Sequence, residues 1–335
     1  MTRLAAAVVL ALLTAAAAAP VEERASIGGL PAHAATALDE IAGCQLSPSG
    51  AYLVFDRRAH AVFRFARGAD SPEKIVQIGS ETGRILRPTA FDVAPDGTFA
   101  IADSPGNRRR VQLFTEAGSP AGGFVMEGSA VPFVTLGDVA VSGLGTLEYT
   151  GRSIFMSQPD TGALVTEYGL NGAPLRSIGE LRTTGQEKDK AVHDALNVAI
   201  PVPTPDNGFF VVFVSGVPLF RRYDAAGTLL FERHVEGPEV DGYLRQMPGT
   251  WRTRRAGDGE IPLVPSMIRT AAADRDGNLW ISLVAPVTYV YDASGEKRRT
   301  VRFRAAGIIA PTGFFFTRDA RLLATPGCYT FPAGL

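Results

Sequence analysis

Residues 91–118 read FDVAPDGTFAIADSPGNRRRVQLFTEAG, and residues 271–295 read AAADRDGNLWISLVAPVTYVYDASG. Each stretch has an apolar run, an Asp-Gly turn, a second β-rich run, a short break, a third run and a closing Gly turn. Gly supplies the positive φ that tight hairpins need, and Asp hydrogen-bonds within its own turn. A unit of three or four short strands that recurs along a chain predicts a β-propeller.

The Asp-Gly turn, or a degraded form of it, occurs six times. The turns lie at residues 47–50, 95–97, 142–145, 205–208, 275–277 and 318–320. Their final residues are 43 to 69 positions apart, and the shorter of these steps match the length of a propeller blade. In the third unit, the second strand begins at Thr146 or, after a longer turn, near Arg152. The count predicts an all-β, six-bladed β-propeller in a single domain over residues 20–335.

The two ends of the chain suggest how the ring closes. The last unit stops soon after its third strand, at Phe331 and Pro332, and has no fourth strand. Residues 24–28 (RASIG) are similar to the outer-strand stretches 76–79 (VQIG) and 176–179 (RSIG). We therefore expect the N-terminal segment to complete the last blade, which leaves no free sheet edge between first and last blades.

The two cysteines fit this closure. Cys44 begins the inner strand of the first unit, and Cys328 begins the third strand of the last unit. In blades of alternating strand direction, both positions fall on one face of the ring, in neighbouring blades. This placement predicts a Cys44–Cys328 disulfide, as befits an exported chain with two cysteines. The alternative is two separate buried thiols that are too far apart to bond.

Residues 1–19 predict a secretory signal peptide, because Arg3 precedes an apolar stretch that small residues follow. We expect the protein to be exported, to the periplasm or outside the cell. No other stretch approaches the ~20 apolar residues of a spanning helix. The formal net charge of −1 argues against nucleic acid as a partner.

Two stretches carry a family resemblance. Residues 101–114 (IADSPGNRRRVQLF) resemble an NHL repeat, and residues 55–65 (FDRRAHAVFRF) resemble the same stretch in bacterial six-bladed propellers. More distantly, the chain resembles gluconolactonase-type propellers. The resemblance implies a six-bladed ring but no single activity, because such propellers serve as scaffolds, binding modules, lactonases and lyases.

Two long insertions indicate a binding face. They span about residues 180–195 and 237–267, and both join one blade to the next, so they open on the same side of the ring. Aromatic and Arg side chains are the usual recognition anchors, and a His near a cavity mouth can act as a general base. The ligand-binding candidates are therefore Trp251, Arg252, Tyr243 and His193. The alternative is a self-packed loop, with His193 an ordinary surface residue.

Three polar residues on predicted inner strands suggest a channel site. Asp92, Asp138 and Asn197 are expected near the channel mouth on consecutive blades. Carboxylate and amide oxygens suit a divalent cation such as Ca²⁺, and the resemblance to gluconolactonase-type propellers implies a metal there. Their usual Glu-Gly-Pro entry to the first blade is replaced by residues 41–44, IAGC. The alternative is that the three side chains hydrogen-bond strand ends or line a wet channel.

The sequence contains no nucleophile elbow, phosphate loop, His-Glu-x-x-His or Cys-x-x-Cys motif. We therefore predict a monomeric, non-catalytic binding or scaffold module whose partner is a protein, a saccharide or a small molecule. The alternative is a metal-dependent hydrolase of the lactonase kind, or a lyase, with its site at the channel mouth.

Overall fold

The computed structural model describes residues 20–69, 71–106, 108–126, 133–136, 139–142, 146–256 and 259–333. Six sheets of at least four strands each surround the channel within these ranges, so the predicted six-bladed β-propeller is confirmed. The predicted signal peptide, residues 1–19, lies outside them. Among the described residues, no helix is long and apolar enough to cross a membrane.

Each blade is an antiparallel sheet of four strands that succeed one another from the channel outwards. Blade one comprises Ile41–Leu46, Tyr52–Asp56, Ala61–Phe65 and Glu73–Ile78, with Arg84–Ile85 added in parallel. Blade two comprises Ala90–Val93, Phe99–Asp103, Arg109–Phe114 and Pro120–Met126. Blade three comprises Leu147–Tyr149, Ser153–Ser157, Ala163–Gly169 and Pro174–Glu180, with a 3-10 turn at Pro159–Thr161.

The other three blades follow the same plan. Blade four comprises Ala199–Pro203, Phe209–Phe213, Leu219–Tyr223 and Leu229–His234. Blade five comprises Ile268–Ala273, Leu279–Leu283, Thr288–Tyr291 and Lys297–Arg304, with Ile308–Ile309 added at its edge. Blade six comprises Gly313–Phe316, Arg321–Thr325, Tyr329–Pro332 and Gly28–Gly29.

The remaining elements lie outside the blades. Two hairpins pair Phe133–Leu136 with Val139–Ser142, and Thr253–Ala256 with Gly259–Pro262. The helices are Ala32–Ala35, Lys190–Leu196 and Pro238–Leu244. All but the first helix lie between one blade and the next, so these connections carry most of the non-blade structure.

The second strands are apolar on both faces because each blade packs against two neighbours. Phe99–Asp103, Phe209–Phe213 and Leu279–Leu283 are buried along their whole length. Rings from blades one and two meet in this core, where the Phe55 and Phe91 ring centroids lie 5.4 Å apart. Burial of apolar area at about 25 cal/mol per Å² therefore holds adjacent blades together.

The letters of the NHL-like stretch act within their own blade. The buried Asp103 carboxylate accepts a hydrogen bond from the Leu86 N–H at 2.8 Å and pairs with the Arg110 guanidinium at 2.7 Å. The two contacts hold the end of the second strand to the Leu86 backbone and to Arg110 on the third strand. The resemblance therefore rests on residues that stabilise the blade.

The predicted closure by the N-terminal segment is confirmed, with a shift in the residues that pair. Gly28–Gly29 pair antiparallel with Tyr329 and Thr330 and complete blade six. Val21–Ala25 instead run parallel to the outer strand of blade five. Residues 21–25 therefore extend blade five, and residues 28–29 complete blade six.

The predicted disulfide is confirmed. Cys44 and Cys328 are bonded, with their Cα atoms 5.7 Å apart. The bond joins the inner strand of blade one to the residue before the third strand of blade six. It therefore reinforces the ring where the first and last blades meet.

The predicted register of blade three is wrong in its first form. The inner strand is Leu147–Tyr149 and the second strand begins at Ser153, so the turn between them comes after the predicted position at residues 142–145. The alternative start near Arg152 is the one observed. A hairpin inserted at residues 133–142 resembles the opening of a blade in sequence, and this produced the error.

Candidate functional site in the central channel

One hydrogen bond repeats in all six blades and sets a common register for the inner strands. The residue after each inner strand donates its N–H across the following turn, as in Ala94 N to Thr98 O at 2.8 Å. The six donors are Ser47, Ala94, Thr150, Thr204, Asp274 and Thr317. Two positions before them stand Gln45, Asp92, Glu148, Val202, Ala272 and Phe315. We call these six residues the channel ring.

All six residues of the channel ring line one central cavity of about 430 Å³. In chain order, the ring is polar on blades one to three and apolar on blades four to six. The cavity therefore has two unlike walls. A volume of this order suits a small molecule.

Side chains of the polar wall bond across blades to backbone N–H groups. Gln45 accepts from the Val93 N–H at 2.8 Å and donates to the Asp92 carboxylate at 2.7 Å. Asp92 in turn accepts from the Tyr149 N–H at 2.6 Å. The bonds to Val93 and Tyr149 each reach the N–H directly after the ring residue of the following blade. Both Asp92 oxygens therefore have donors, and the chain Gln45–Asp92–Tyr149 fixes three blades to one another.

Glu148 interrupts this series. The next N–H in the pattern would belong to residue 203, but that residue is Pro203, which has no N–H to donate. Among the described residues, none donates a hydrogen bond to the Glu148 carboxylate. A carboxylate deep in the channel therefore keeps its acceptors for whatever occupies the cavity.

Asp92 and Glu148 form an acidic pair on neighbouring inner strands. Burial raises the pKa of Asp92 to about 6, although its hydrogen bonds from Tyr149 and Gln45 oppose the shift. Burial, and then the adjacent Asp92 carboxylate, raise the pKa of Glu148 well above its usual range. Two close carboxylates resist joint ionisation, so each member of the pair opposes loss of the proton from the other.

The opposite wall is apolar over the same depth. Val202, Ala272 and Phe315 come from blades four, five and six, and Ile200 and Phe316 extend the surface they form. Side chains of this wall make no hydrogen bond to the pair. A ligand in the cavity thus meets charge on one side and hydrocarbon on the other.

The channel does not bring together the three predicted metal candidates. Asp92 lines the cavity, but Asp138 lies outside the described residues. Asn197 lies outside the cavity lining, at the end of the helix Lys190–Leu196. Its amide oxygen accepts from the Arg182 N–H at 2.9 Å, and its amide nitrogen donates to the His193 carbonyl at 3.0 Å. The placement of Asn197 at the channel mouth is therefore wrong, because its amide makes hydrogen bonds within the first insertion.

The described channel residues do not fit the cation that the gluconolactonase resemblance implies. Ca²⁺ takes six to eight oxygen ligands, whereas the oxygens of Gln45 and Asp92 already accept protein hydrogen bonds. Blades four to six add no side-chain oxygen to the ring. Within the described ranges, no group of three His, Cys, Asp or Glu residues is arranged to hold a metal. We assign no chemistry to a metal.

The two predicted insertions meet at a second cavity of about 590 Å³. Trp251 lines it and packs against Leu196 and Val264. The indole N–H has no hydrogen-bond partner among the described residues. Arg182 also lines this cavity, but its guanidinium donates to the backbone carbonyls of Leu196 and Val217 at 2.6 and 2.7 Å.

The other three ligand candidates lie apart from this cavity lining. His193 is held inside its insertion, with Nδ1 2.7 Å from the Thr184 hydroxyl oxygen. Tyr243 and Arg252 are exposed. The structure thus places one of the four candidates, Trp251, at a cavity. Ligand binding by any of the four stays a prediction.

Sequence reasoning missed Gln45, Glu148 and Pro203. A signal was present, because Leu147-Glu148-Tyr149 has the same apolar–acidic–apolar pattern as Phe91-Asp92-Val93. The inserted hairpin concealed it by shifting the apparent start of blade three. The effect of Pro203, a missing N–H, is seen only when the equivalent positions Val93 and Tyr149 of earlier blades are compared with it.

No family model matches the chain, so the NHL likeness stays a resemblance. No curated protein sequence matches it either. Among solved structures, virginiamycin B lyase from Staphylococcus aureus is similar at 11% identity and a TM-score of 0.50, covering 86% of this chain and 78% of that chain. A gluconolactonase from Xanthomonas campestris is similar at 13% identity and a TM-score of 0.50, covering 88% and 85%. At these identities, the likeness shows the fold alone: the chain is a six-bladed β-propeller.

Proposed function

We propose that this protein is an exported binding protein that holds a small molecule in its central channel. The observation that carries the proposal is the two-walled channel ring, in which Glu148 has no donor within the described ranges and the position that would supply one is Pro203. The Glu148 side chain is half-buried and lines the cavity, so its oxygens are accessible from the channel. A ligand that supplies a donor there can hydrogen-bond to them.

Export is part of the proposal. The disulfide between Cys44 and Cys328 is of the kind that forms and persists in oxidising compartments. The apolar N-terminal stretch supports the same conclusion. Together they favour the periplasm or the extracellular space as the place of ligand capture.

The test is a ligand screen against the parent protein and a channel-filling variant, Ala272→Leu. Ala272 belongs to the ring and is small, so a larger side chain occupies cavity volume without altering the acidic pair. Thermal shift with a library of small molecules should give hits that Ala272→Leu loses. Arg254→Ala, on the exposed insertion, is the matched control and should keep them. Hits that persist in Ala272→Leu would place binding elsewhere.

A second candidate function is acid–base catalysis in the same channel, as a hydrolase or lyase. The observation that favours it is the raised pKa of both carboxyl groups, since a proton donor and acceptor near neutral pH is what general acid–base chemistry needs. Glu148 would hold the proton to be donated, and Asp92 would accept one.

Turnover of a panel of lactones and esters separates the two candidates. A catalytic pair predicts turnover that Glu148→Gln reduces by at least ~100-fold, the usual contribution of a positioned acid or base. Equal rates in parent and variant would exclude the pair as the catalyst. Binding without turnover would leave the first proposal standing.

A further inference from the structure

The two walls of the channel differ in chemistry at the same depth, since one is acidic and the other is apolar. On blades two and three stand Asp92 and Glu148, and across the channel stand Val202, Ala272 and Phe315. All five occupy the same position in their inner strands. A molecule that fits therefore presents a polar end and an apolar end to opposite sides.

An ionised Glu148 requires the polar end of the ligand to be a donor. Glu148 offers oxygen acceptors with no donor from the described protein, and both oxygens of Asp92 are already engaged by Gln45 and Tyr149. Hydrogen bonds from a cation to a carboxylate are about twice as strong as neutral ones. A cationic donor is therefore preferred over a hydroxyl.

The charge of the surroundings agrees with a single cation. Two arginines also line the cavity, Arg57 and Arg152. Arg57 is ion-paired with Glu40, and Arg152 is exposed at the end of the channel. The acidic pair is therefore the main charged feature at the depth of the ring, and it favours a cationic ligand.

The apolar wall sets the other half of the ligand. Val202 is buried, and Ala272 and Phe315 are half-buried, with no polar side chain among the three. A strongly hydrated ligand such as a sugar would leave hydroxyls unpaired against this wall, which costs free energy. A hydrocarbon or aromatic group gains by burial there.

We propose that the channel binds a protonated amine that carries an apolar group, with its ammonium on the Asp92–Glu148 pair and its hydrocarbon against Val202, Ala272 and Phe315. This inference rests on the proposed channel-binding function and narrows it to one ligand class.

The test uses three probes that share one apolar group: 2-phenylethylamine, 2-phenylethanol and 3-phenylpropionate. Isothermal titration calorimetry on the whole protein should show the amine binding about 10- to 100-fold tighter than the alcohol, the effect of one hydrogen bond to a charged group. The carboxylate should bind most weakly. Glu148→Gln should bring the amine to the level of the alcohol, and the exposed Glu296→Gln should leave the ranking unchanged.

Each other result contradicts a separate part of the proposal. Equal affinity for amine and alcohol, no measurable binding of the amine, or an amine affinity that Glu148→Gln leaves intact would overturn the amine inference. If all three probes bind equally and Ala272→Leu weakens all of them, the channel is still the binding site. If amine binding survives both Ala272→Leu and Ala272→Phe, the channel function itself fails.

Discussion

Blades one to three and blades four to six share one backbone plan but present different surfaces to the channel. In the first half, Gln45 and Asp92 bond across blades to the N–H groups of Val93 and Tyr149. In the second half, the equivalent ring positions hold Val202, Ala272 and Phe315. The identity of one residue per blade therefore makes one side of the channel polar and the other side apolar. Neither the loops nor the overall fold is needed to explain this difference.

The two halves meet at two joints with opposite properties. Between blades three and four, Glu148 faces a proline where the pattern needs an N–H. Between blades six and one, the Cys44–Cys328 disulfide closes the ring covalently. At the joint between blades three and four, the Glu148 carboxylate remains for a ligand, and at the joint between blades six and one, the disulfide holds the ring closed. Substitutions at these joints and walls test the contrast between the two halves.

The largest effect is expected from the covalent joint. The double variant Cys44→Ser/Cys328→Ser should lose about 5 kcal/mol of unfolding free energy, because the disulfide spans 284 positions and removes much chain entropy from the unfolded state. Urea denaturation of the parent under oxidising and reducing conditions provides the comparison. Reduction should destabilise the parent and leave the variant unchanged. Equal stability of oxidised parent and variant would show that the joint does not secure the ring.

A smaller loss is expected from the polar wall. Asp92→Asn should destabilise the protein by about 1–3 kcal/mol, because an amide cannot accept from both Gln45 and the Tyr149 N–H. Asp276→Asn, in an exposed turn, is the control and should change little. Chemical denaturation at pH 7 measures both. Similar values for the two variants would mean that Asp92 does not connect blades.

The acidic pair predicts a gain of stability on neutralisation. The raised pKa values of Asp92 and Glu148 mean that folding favours their protonated forms, so this contribution is present at low pH and is lost as pH rises through about 6. Glu148→Gln should therefore raise the Tm relative to the parent at pH 8 by at least ~2 °C, the shift for about 1 kcal/mol.

The pH dependence separates this effect from a general surface effect. The advantage of Glu148→Gln should shrink at pH 5, where the parent pair is more fully protonated. Glu296→Gln should show no such trend, because Glu296 is exposed. A Glu148→Gln variant that is less stable than the parent at pH 8 would contradict the like-charge account of the channel.

The smallest effect concerns the proline itself. Pro203→Ala restores an N–H at the position that Val93 and Tyr149 occupy in earlier blades, so it should lower the pKa of Glu148 and flatten the pH dependence of stability. A general loss of about 0.5–1 kcal/mol from the more flexible unfolded chain accompanies it. Pro205→Ala, in the exposed turn, should show that loss alone. Identical pH profiles for the two variants would exclude Pro203 as the cause.

The parts of the fold that local chemistry determines were predictable from the sequence. Asp-Gly turns gave the blade count, and the missing last strand gave the closure. The positions of Cys44 and Cys328 then followed from strand direction. These features depend on residues close in sequence or on simple alternation.

The site was harder to predict because it depends on which short strand enters the ring. Phe133–Leu136 and Val139–Ser142 pair in a hairpin outside the blades, and the inner strand of blade three is Leu147–Tyr149 instead. Asn197 was misplaced for a related reason, since the helix Lys190–Leu196 displaces it from the inner strand. An insertion changes which residues form the inner strand of a blade, and the spacing of the turns along the sequence does not show this change.

The central claim is that the channel holds a carboxyl group whose hydrogen-bonding capacity is left for a ligand. The most direct measurement is the titration of Glu148 by carboxyl ¹³C NMR in the intact protein, with Glu148→Gln to assign the signal. The account predicts an inflection well above the ordinary value of about 4.3 for Glu, moved lower by Pro203→Ala. An inflection at or below that ordinary value would contradict the account.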